Sequence, residues 1–152
     1  MKNYFFDIFA DYYQIYLHDQ SATPDLSQAW NKQNLANRYF HDDGVIAIAT
    51  ARNMNVPIEV IINDHEAHID DSQWEHIILT SITFISDTMI LRGPSDYLPD
   101  AQRINIKPGH YDACILINGL DTISDDGLDG DDYYKIILWP SNKAKNFVLK
   151  RK

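Results

Sequence analysis

Short apolar segments separated by polar turns run along the whole chain, and their residue pattern is that of β-strands. Some alternate in period two, as around Ile15, and others are runs of β-branched and aromatic residues. Nine segments have this character: 4–17, 45–50, 56–62, 74–85, 88–92, 103–106, 110–117, 133–139 and 147–149. Turn residues recur between them at the roughly 8–12-residue spacing of a sandwich. We therefore predict an all-β fold, an antiparallel β-sandwich of about eight strands.

One stretch, residues 27–40, departs from strand character and predicts a short helical excursion. Asp25 is a candidate N-cap, with Gln28 three residues later as its capping-box partner. Asparagine and serine are common here and are mediocre helix formers, so we expect only one or two turns. No internal repeat and no second domain is visible, which predicts a single domain over residues 1–152.

Several connections have a specific local prediction. Residues 52–55 are long enough for a hairpin loop between two strands, and Asp87 marks the turn before a short return strand. Pro57 predicts that its strand begins at a sheet edge or a bulge. Gly119 is expected to end the strand before it, because a long acidic segment follows instead of another strand.

That acidic segment, residues 121–132, is the most unusual feature of the sequence. Six of its twelve residues are aspartates, broken by Gly127 and Gly130 and followed by the apolar run 133–139. No neighbouring side chain in the segment can neutralise this charge, so it must be solvated, bind a cation or face a basic partner. We predict partner binding by the six aspartates: Asp121, Asp125, Asp126, Asp129, Asp131 and Asp132.

The net charge of −9 understates how acidic the body of the protein is. Five of the 13 basic residues lie in the tail 143–152, where there are no acids, and without them 8 basic residues face 22 acidic ones, a net −14. Such a body repels nucleic acid and suits a basic protein partner, or serves solubility alone. The basic tail is either solvated or folds back on an acidic loop of its own or a neighbouring chain.

The compartment prediction rests on the single cysteine and the absence of a long apolar run. Cys114 lies in an apolar segment and excludes a disulfide framework, which is typical of a reducing environment. Asp7 and Asp11 interrupt the apolar N-terminal segment, and no small-residue cleavage site follows it. No run approaches the length that spans a bilayer. We expect a cytoplasmic protein without membrane contact.

Two alternatives to a protein-binding role depend on metal-ligating or nucleophilic residues. Read as a calcium-binding EF-hand loop starting at Asp125, the acidic segment fits at Asp129 and Gly130 but fails at Gly127 and Ile136. Looser cation sites would use loop carboxylates or the group 65–71. A hydrolase would need a pocket that joins carboxylates to His110, His76 or Cys114. We predict no cofactor, metal or catalytic residue, and keep a cation- or small-ligand-binding module as the alternative.

Three phrases of the sequence resemble a known family. The segments 130–140 (GDDYYKIILWP), 43–52 (DGVIAIATAR) and 108–111 (PGHY) are similar to parts of small bacterial β-sandwich proteins related to competence protein J, an inhibitor of the DNA-entry nuclease. This resemblance implies a non-enzymatic protein that binds and blocks a nuclease, or an immunity protein directed against a toxin. The assignment of the aspartates to the partner surface is independent of the resemblance and rests on their charge.

Overall fold

Eleven β-strands form two sheets that pack face to face in the computed structural model, which describes residues 1–152. The strands are β1 (Lys2–Phe9), β2 (Gln14–Asp19), β3 (Tyr39–Asp42), β4 (Val45–Ala49), β5 (Asn55–Ile62), β6 (His76–Phe84), β7 (Thr88–Arg92), β8 (Gln102–Asn105), β9 (Gly109–Asn118), β10 (Tyr133–Pro140) and β11 (Phe147–Lys150). One α-helix, α1, spans Lys32–Asn37, and three short 3₁₀ turns span Asp11–Tyr13, Asp71–Gln73 and Leu98–Asp100.

The six-stranded sheet has the order β1-β5-β10-β9-β6-β11, and the five-stranded sheet has the order β3-β4-β2-β7-β8. All neighbours are antiparallel except β5 and β10. The predicted all-β sandwich is confirmed, with two more strands than the nine predicted segments and one parallel pair. The parallel pair arises because β5 enters the sheet from the opposite sheet, so no hairpin sets its direction relative to β10.

The main core lies between the sheets and contains 24 buried residues from both. Phe84 and Tyr111 meet edge to face, with ring centroids 5.6 Å apart. A second cluster of six buried residues, including Cys114 and Trp139, lies on the outer face of the six-stranded sheet. The long β5–β6 connection covers it with Ala67, Ile69 and Trp74, which explains why both faces of the central strands are apolar.

The first predicted segment, 4–17, is two strands in different sheets. β1 pairs with β5 in one sheet, whereas β2 pairs with β4 and β7 in the other. The chain changes sheets at the buried Ala10 and the 3₁₀ turn after it, where Tyr12 and Tyr13 have positive φ angles of 56° and 62°. The sequence pattern does not reveal this, because apolar and aromatic residues continue on both sides of the change of sheet without a glycine or proline between them.

Two predicted hairpin connections also cross between the sheets. β4 and β5 lie in different sheets, so residues 52–55 are a crossover, and β6 and β7 are likewise separated around Asp87. Pro57 lies where the start of its strand has a free edge, as predicted, although β5 as a whole lies between β1 and β10. Pairing with β10 begins only at Ile58, so the missing proline N–H is not needed there.

The helical excursion is confirmed, but it has a different cap and is followed by a strand. Asn31 caps α1, accepting a hydrogen bond from Asn34 N at 2.8 Å, whereas Asp25 accepts from Ser27 N in a local turn. Arg38 ends the helix in a left-handed conformation, and β3 follows at once and pairs with β4. No helix has the length and apolar character needed to cross a membrane.

Candidate functional site

The acidic segment is the connection of a long hairpin. β9 ends at Asn118 as predicted, β10 starts at Tyr133, and the two strands are antiparallel neighbours. Gly119 begins the connection with φ of 76°, and a Cβ there would lie 2.2 Å from Asp131 O. Only glycine fits this close approach of the two ends of the loop. We call residues 119–132 the acidic loop.

Hydrogen bonds within the acidic loop give it a defined shape. Ser124 N donates to Asp129 O at 2.8 Å, and Asp131 N donates to Thr122 Oγ1 at 2.8 Å. Asp126 Oδ1 accepts from Ser124 Oγ at 2.6 Å and from Leu128 N at 3.0 Å. These bonds, that from Ser124 first, lower the pKa of Asp126 and keep it ionised.

The acidic loop is also fixed to the rest of the sandwich. Asn53, in the β4–β5 crossover, donates its backbone N–H to Gly127 O at 2.8 Å. Gly127 has φ of 75°, and a Cβ on it would lie 2.5 Å from Tyr13 Oη. The loop therefore rests against the crossover and the 3₁₀ turn that joins β1 to β2.

Asp132 differs from the other predicted partner-binding aspartates because its side chain is fully buried. Its Oδ1 lies 2.6 Å from Arg52 Nε, and its Oδ2 accepts a hydrogen bond of 2.6 Å from Tyr134 Oη. Tyr134 Oη in turn accepts from Ala51 N at 2.7 Å. Burial raises the pKa of Tyr134, and the bond to Asp132 adds to this, so the phenol remains a donor. Asp132 therefore neutralises Arg52 inside the protein and, unlike the other five predicted partner-binding aspartates, is not accessible to a partner.

The five remaining aspartates, Asp121, Asp125, Asp126, Asp129 and Asp131, are exposed. Only Asp121 forms an ion pair, with Lys152 Nζ. The hydrogen bond to Asp121 raises the pKa of Lys152. The other four aspartates have no basic side chain within ion-pair distance, so the structure leaves a net charge of −4 on an ordered loop.

The basic tail folds back on its own chain. Lys145 Nζ lies 2.9 Å from Glu66 Oε1, and Lys150 Nζ donates to Asp71 O at 2.9 Å. Arg151 donates to Asn37 Oδ1 at 2.7 Å. Lys152 thus reaches the acidic loop of its own chain, which was one of the two predicted alternatives for the tail. The rest of the tail contacts the β5–β6 connection and α1.

The candidate catalytic residues are not brought together. Cys114 packs in the outer cluster, where burial raises the pKa of its thiol to about 12. His76 is buried, and its neighbour Ile78 on the same face of β6 faces the main core, so it lies on the opposite side of the sheet from Cys114. His110 is exposed and contacts Thr83 Oγ1 at 2.8 Å. A thiol with this pKa is a poor nucleophile at neutral pH.

The histidines of the group 65–71 stand apart from any ligand set. His65 and His68 are exposed, while Glu66 between them pairs with Lys143 and Lys145 of the tail. No group of three or more histidine, cysteine, aspartate or glutamate side chains is placed to hold a metal ion.

Sequence reasoning missed the residues that border the acidic loop. Tyr12 and Tyr13 fall in a predicted strand, and Asn53 falls in a predicted hairpin loop. Yet Tyr13 and Asn53 contact Gly127, and Tyr12 is bonded to Asn53. An Asp-Tyr-Tyr triplet at the end of an apolar run gives no sign of two left-handed residues, since tyrosine disfavours that conformation. Only the change of sheet brings them to the loop.

The protein is a β-sandwich that presents a fixed acidic loop at one end. Solved structures of other proteins share this fold. The structure is similar to that of a nuclease inhibitor, with a TM-score of 0.65 and 17% sequence identity over 93% of this chain and 96% of that protein. That protein is ComJ from Bacillus subtilis, the inhibitor of the DNA-degrading activity of NucA.

A second solved structure with a similar fold is "Crocagin biosynthetic gene J", with a TM-score of 0.57 and 12% identity over 92% of this chain and 96% of that one. No family model and no curated protein matches the sequence. The chain therefore has a ComJ-like fold, and the resemblance predicted from the sequence is confirmed at the level of the fold.

Proposed function

We propose that the protein is a non-enzymatic inhibitor or immunity protein whose acidic loop engages a basic protein partner such as a nuclease. The observation that carries this proposal is the group of four exposed aspartates, Asp125, Asp126, Asp129 and Asp131, that have no ion-pair partner on an ordered loop. The fold of ComJ, which inhibits the nuclease NucA, supports the choice of partner class.

The physical basis is electrostatic competition. A nuclease must attract DNA phosphates, so the surface around its active site is positively charged. A preformed loop with a net charge of −4 approaches such a surface at an enhanced rate and occupies the same positive region as DNA. Because the loop is held by its own hydrogen bonds, little ordering free energy is lost when it binds.

The test is a DNA-degradation assay with NucA as the probe, at increasing concentrations of this protein. A loop variant changes Asp125, Asp126, Asp129 and Asp131 to asparagine, which keeps the Oδ1 acceptor that shapes the turn at Asp126. We expect wild-type protein to inhibit NucA, and the loop variant to need at least about ten times more protein for the same inhibition. Added salt should weaken wild-type inhibition more than that of the loop variant.

A matched control variant changes four exposed aspartates at the opposite end of the sandwich to asparagine: Asp42, Asp43, Asp64 and Asp87. It has the same net charge as the loop variant and should inhibit like wild type. Equal loss of inhibition in both variants would mean that total charge, not the loop, is responsible. No inhibition by wild-type protein at a large excess would overturn the proposed function.

One observation favours the alternative, a module that binds a cation or small ligand. Asp112 is fully buried, and its Oδ1 has no hydrogen-bond partner. Ser141 Oγ donates to its Oδ2 at 2.8 Å, and Ser81 is its cross-strand neighbour on β6. Both serines line a cavity of about 300 Å³. A melting temperature that rises with millimolar calcium or zinc in wild type but not in Asp112→Asn supports this alternative, and an unchanged one contradicts it.

A further inference from the structure

Two exposed tyrosines beside the acidic loop are held in a conformation that tyrosine disfavours. Tyr12 and Tyr13 have φ angles of 56° and 62°, in the left-handed region that favours glycine and asparagine. Their side chains are 72% and 42% exposed, so neither adopts this conformation to fill the core. Backbone strain of this kind persists only where the surrounding structure imposes it, and it is concentrated at functional sites.

The surrounding hydrogen bonds do impose it. Tyr12 N donates to Asn53 Oδ1 at 2.8 Å, and Tyr13 N donates to Ala10 O at 3.0 Å. Tyr13 O accepts from Thr50 N at 2.9 Å. Two bonds to the β4–β5 crossover and one to Ala10, at the end of β1, therefore fix the backbone of the pair and leave both rings at the surface.

The tyrosines border a groove of about 430 Å³, and five of its eight lining residues are hydrophobic. Its other walls include Trp30, whose Nε1 donates to Gln14 Oε1 at 2.8 Å, and Leu35, which is 55% exposed. Arg38 is the one charged residue in the lining. We call Tyr12, Tyr13, Trp30 and Leu35 the tyrosine shelf.

The tyrosine shelf and the acidic loop form one continuous surface. Tyr13 Oη lies against Gly127, where an added Cβ would be only 2.5 Å away. Asn53 contacts both sides, since its side chain binds Tyr12 N and its backbone N–H binds Gly127 O. The surface thus consists of an apolar centre next to four unpaired aspartates.

We infer that the tyrosine shelf is the apolar centre of the interface for which the acidic loop is the charged rim, an inference that rests on the proposed function. Its occupant is a cationic protein that places lysine or arginine side chains over the aspartates and an uncharged, apolar side chain in the groove. Charge complementarity to the loop supports the first part of this description. The second part rests on the mainly hydrophobic lining of the groove, in which Arg38 additionally repels a cation. Exposed tyrosine and tryptophan are the residues that most often dominate binding free energy at such centres.

The two parts of the interface should affect different rate constants. Charged rim residues steer the encounter, so the aspartates should set the association rate and its salt dependence. Desolvated aromatic residues resist separation, so the tyrosine shelf should set the dissociation rate. Asn53 is a positioning residue, because it reaches the partner only through Tyr12.

The experiment measures association and dissociation rates of this protein with immobilised NucA. Tyr12→Asn suits the left-handed backbone, so we expect it to fold with an unchanged or higher melting temperature while its dissociation rate rises at least about tenfold. Ile85→Asn, at a residue that is 76% exposed at the opposite end, is the matched control and should change neither rate. Asn53→Ala should also raise the dissociation rate, and Asn53→Asp, which keeps the acceptor, should restore it.

The outcomes separate this inference from the proposed function. If wild type binds and the loop variant associates more slowly, but Tyr12→Asn dissociates within twofold of wild type, the tyrosine shelf is not the interface centre and the proposed function stands. If wild-type protein does not bind NucA at all, both are overturned. A higher melting temperature together with faster dissociation in Tyr12→Asn supports the shelf, because a purely structural tyrosine would not improve stability when replaced.

Discussion

The two ends of the sandwich both carry clustered aspartates, but the surrounding donors give them opposite roles. At the loop end, four aspartates of the acidic loop point into solvent without an ion pair. At the far end, where β2 stops and β6 turns into β7, Asp19 is only 2% exposed. Burial acts to raise the pKa of Asp19, but hydrogen bonds from Ser21, Ser86 and Ile85 N outweigh it and lower the pKa.

This difference teaches that the donors around a carboxylate, not the density of carboxylates in the sequence, decide what it does. Asp19 joins two turns of the far end and is part of the fold. Asp132 belongs to the acidic loop by sequence, but its environment of Arg52 and Tyr134 makes it like Asp19. Among the four exposed loop aspartates without an ion pair, only Asp126 shapes the loop through its side chain, and the charge of all four remains available to a partner.

The largest effect on this comparison should come from Asp132→Ala. It leaves the nearly buried guanidinium of Arg52 without a counter-charge and Tyr134 Oη without its acceptor, so we expect the free energy of unfolding to fall by about 3–5 kcal/mol. Urea unfolding followed by tryptophan fluorescence measures it. Asp131→Ala, one residue earlier and exposed, is the control and should shift the melting temperature by less than about 2 °C. Equal effects of the two variants would remove the distinction drawn between them.

A smaller loss is expected at the far end from Asp19→Ala. The substitution leaves the partly buried N–H groups of Ile85 and Ser86 without their acceptor, which should lower the free energy of unfolding by about 1–3 kcal/mol. Asp19→Asn keeps one acceptor oxygen and should lose less. The exposed Asp43 is the comparison residue, and if its replacement by alanine is as harmful as that of Asp19, the donors around the carboxylate are not the deciding factor.

The smallest effect should be that of pH on the free energy of unfolding, through two buried histidines, His18 in β2 and His76 in β6. Burial lowers the pKa of both His18 and His76. Arg92 Nε can only donate to His18 Nε2, and Lys152 N can only donate to His76 Nδ1, so both rings are neutral.

The sign of the pH effect follows from the unfolded state, whose histidines take up protons below about pH 6.5 while the folded rings resist them. Stability should therefore be constant above pH 7 and fall between pH 6.5 and pH 5, by at most about 1.4 kcal/mol per pH unit for each histidine. Urea unfolding midpoints at pH 7.5 and 5.5 measure this loss of stability. We expect His76→Gln to reduce the difference between the two midpoints, and His65→Gln, at an exposed position, to leave the difference unchanged. A midpoint that does not change with pH would contradict the neutral, buried state of both rings.

The strands from β7 onward were predicted closely, because each is an apolar run between strong turn signals. Segment 88–92 has the observed bounds, and 133–139 differs from β10 only by Pro140. The 3₁₀ turn at Asp11–Tyr13 was missed because no glycine or proline marks it. The cap at Asn31 was missed because several polar residues near α1 satisfy the capping preference equally well. The acidic loop was located from composition, but which aspartates are exposed was not.

The sequence by itself determined the all-β class, the position of most strands, and the place where negative charge is concentrated, because period, turn residues and charge are local properties of the chain. Only the tertiary structure decided which strands share a sheet, that Arg52 neutralises Asp132, and that Tyr13 lies beside Gly127. Each of these depends on contacts between residues 80 or more positions apart, or on a change of sheet, and neither leaves a mark on the local pattern.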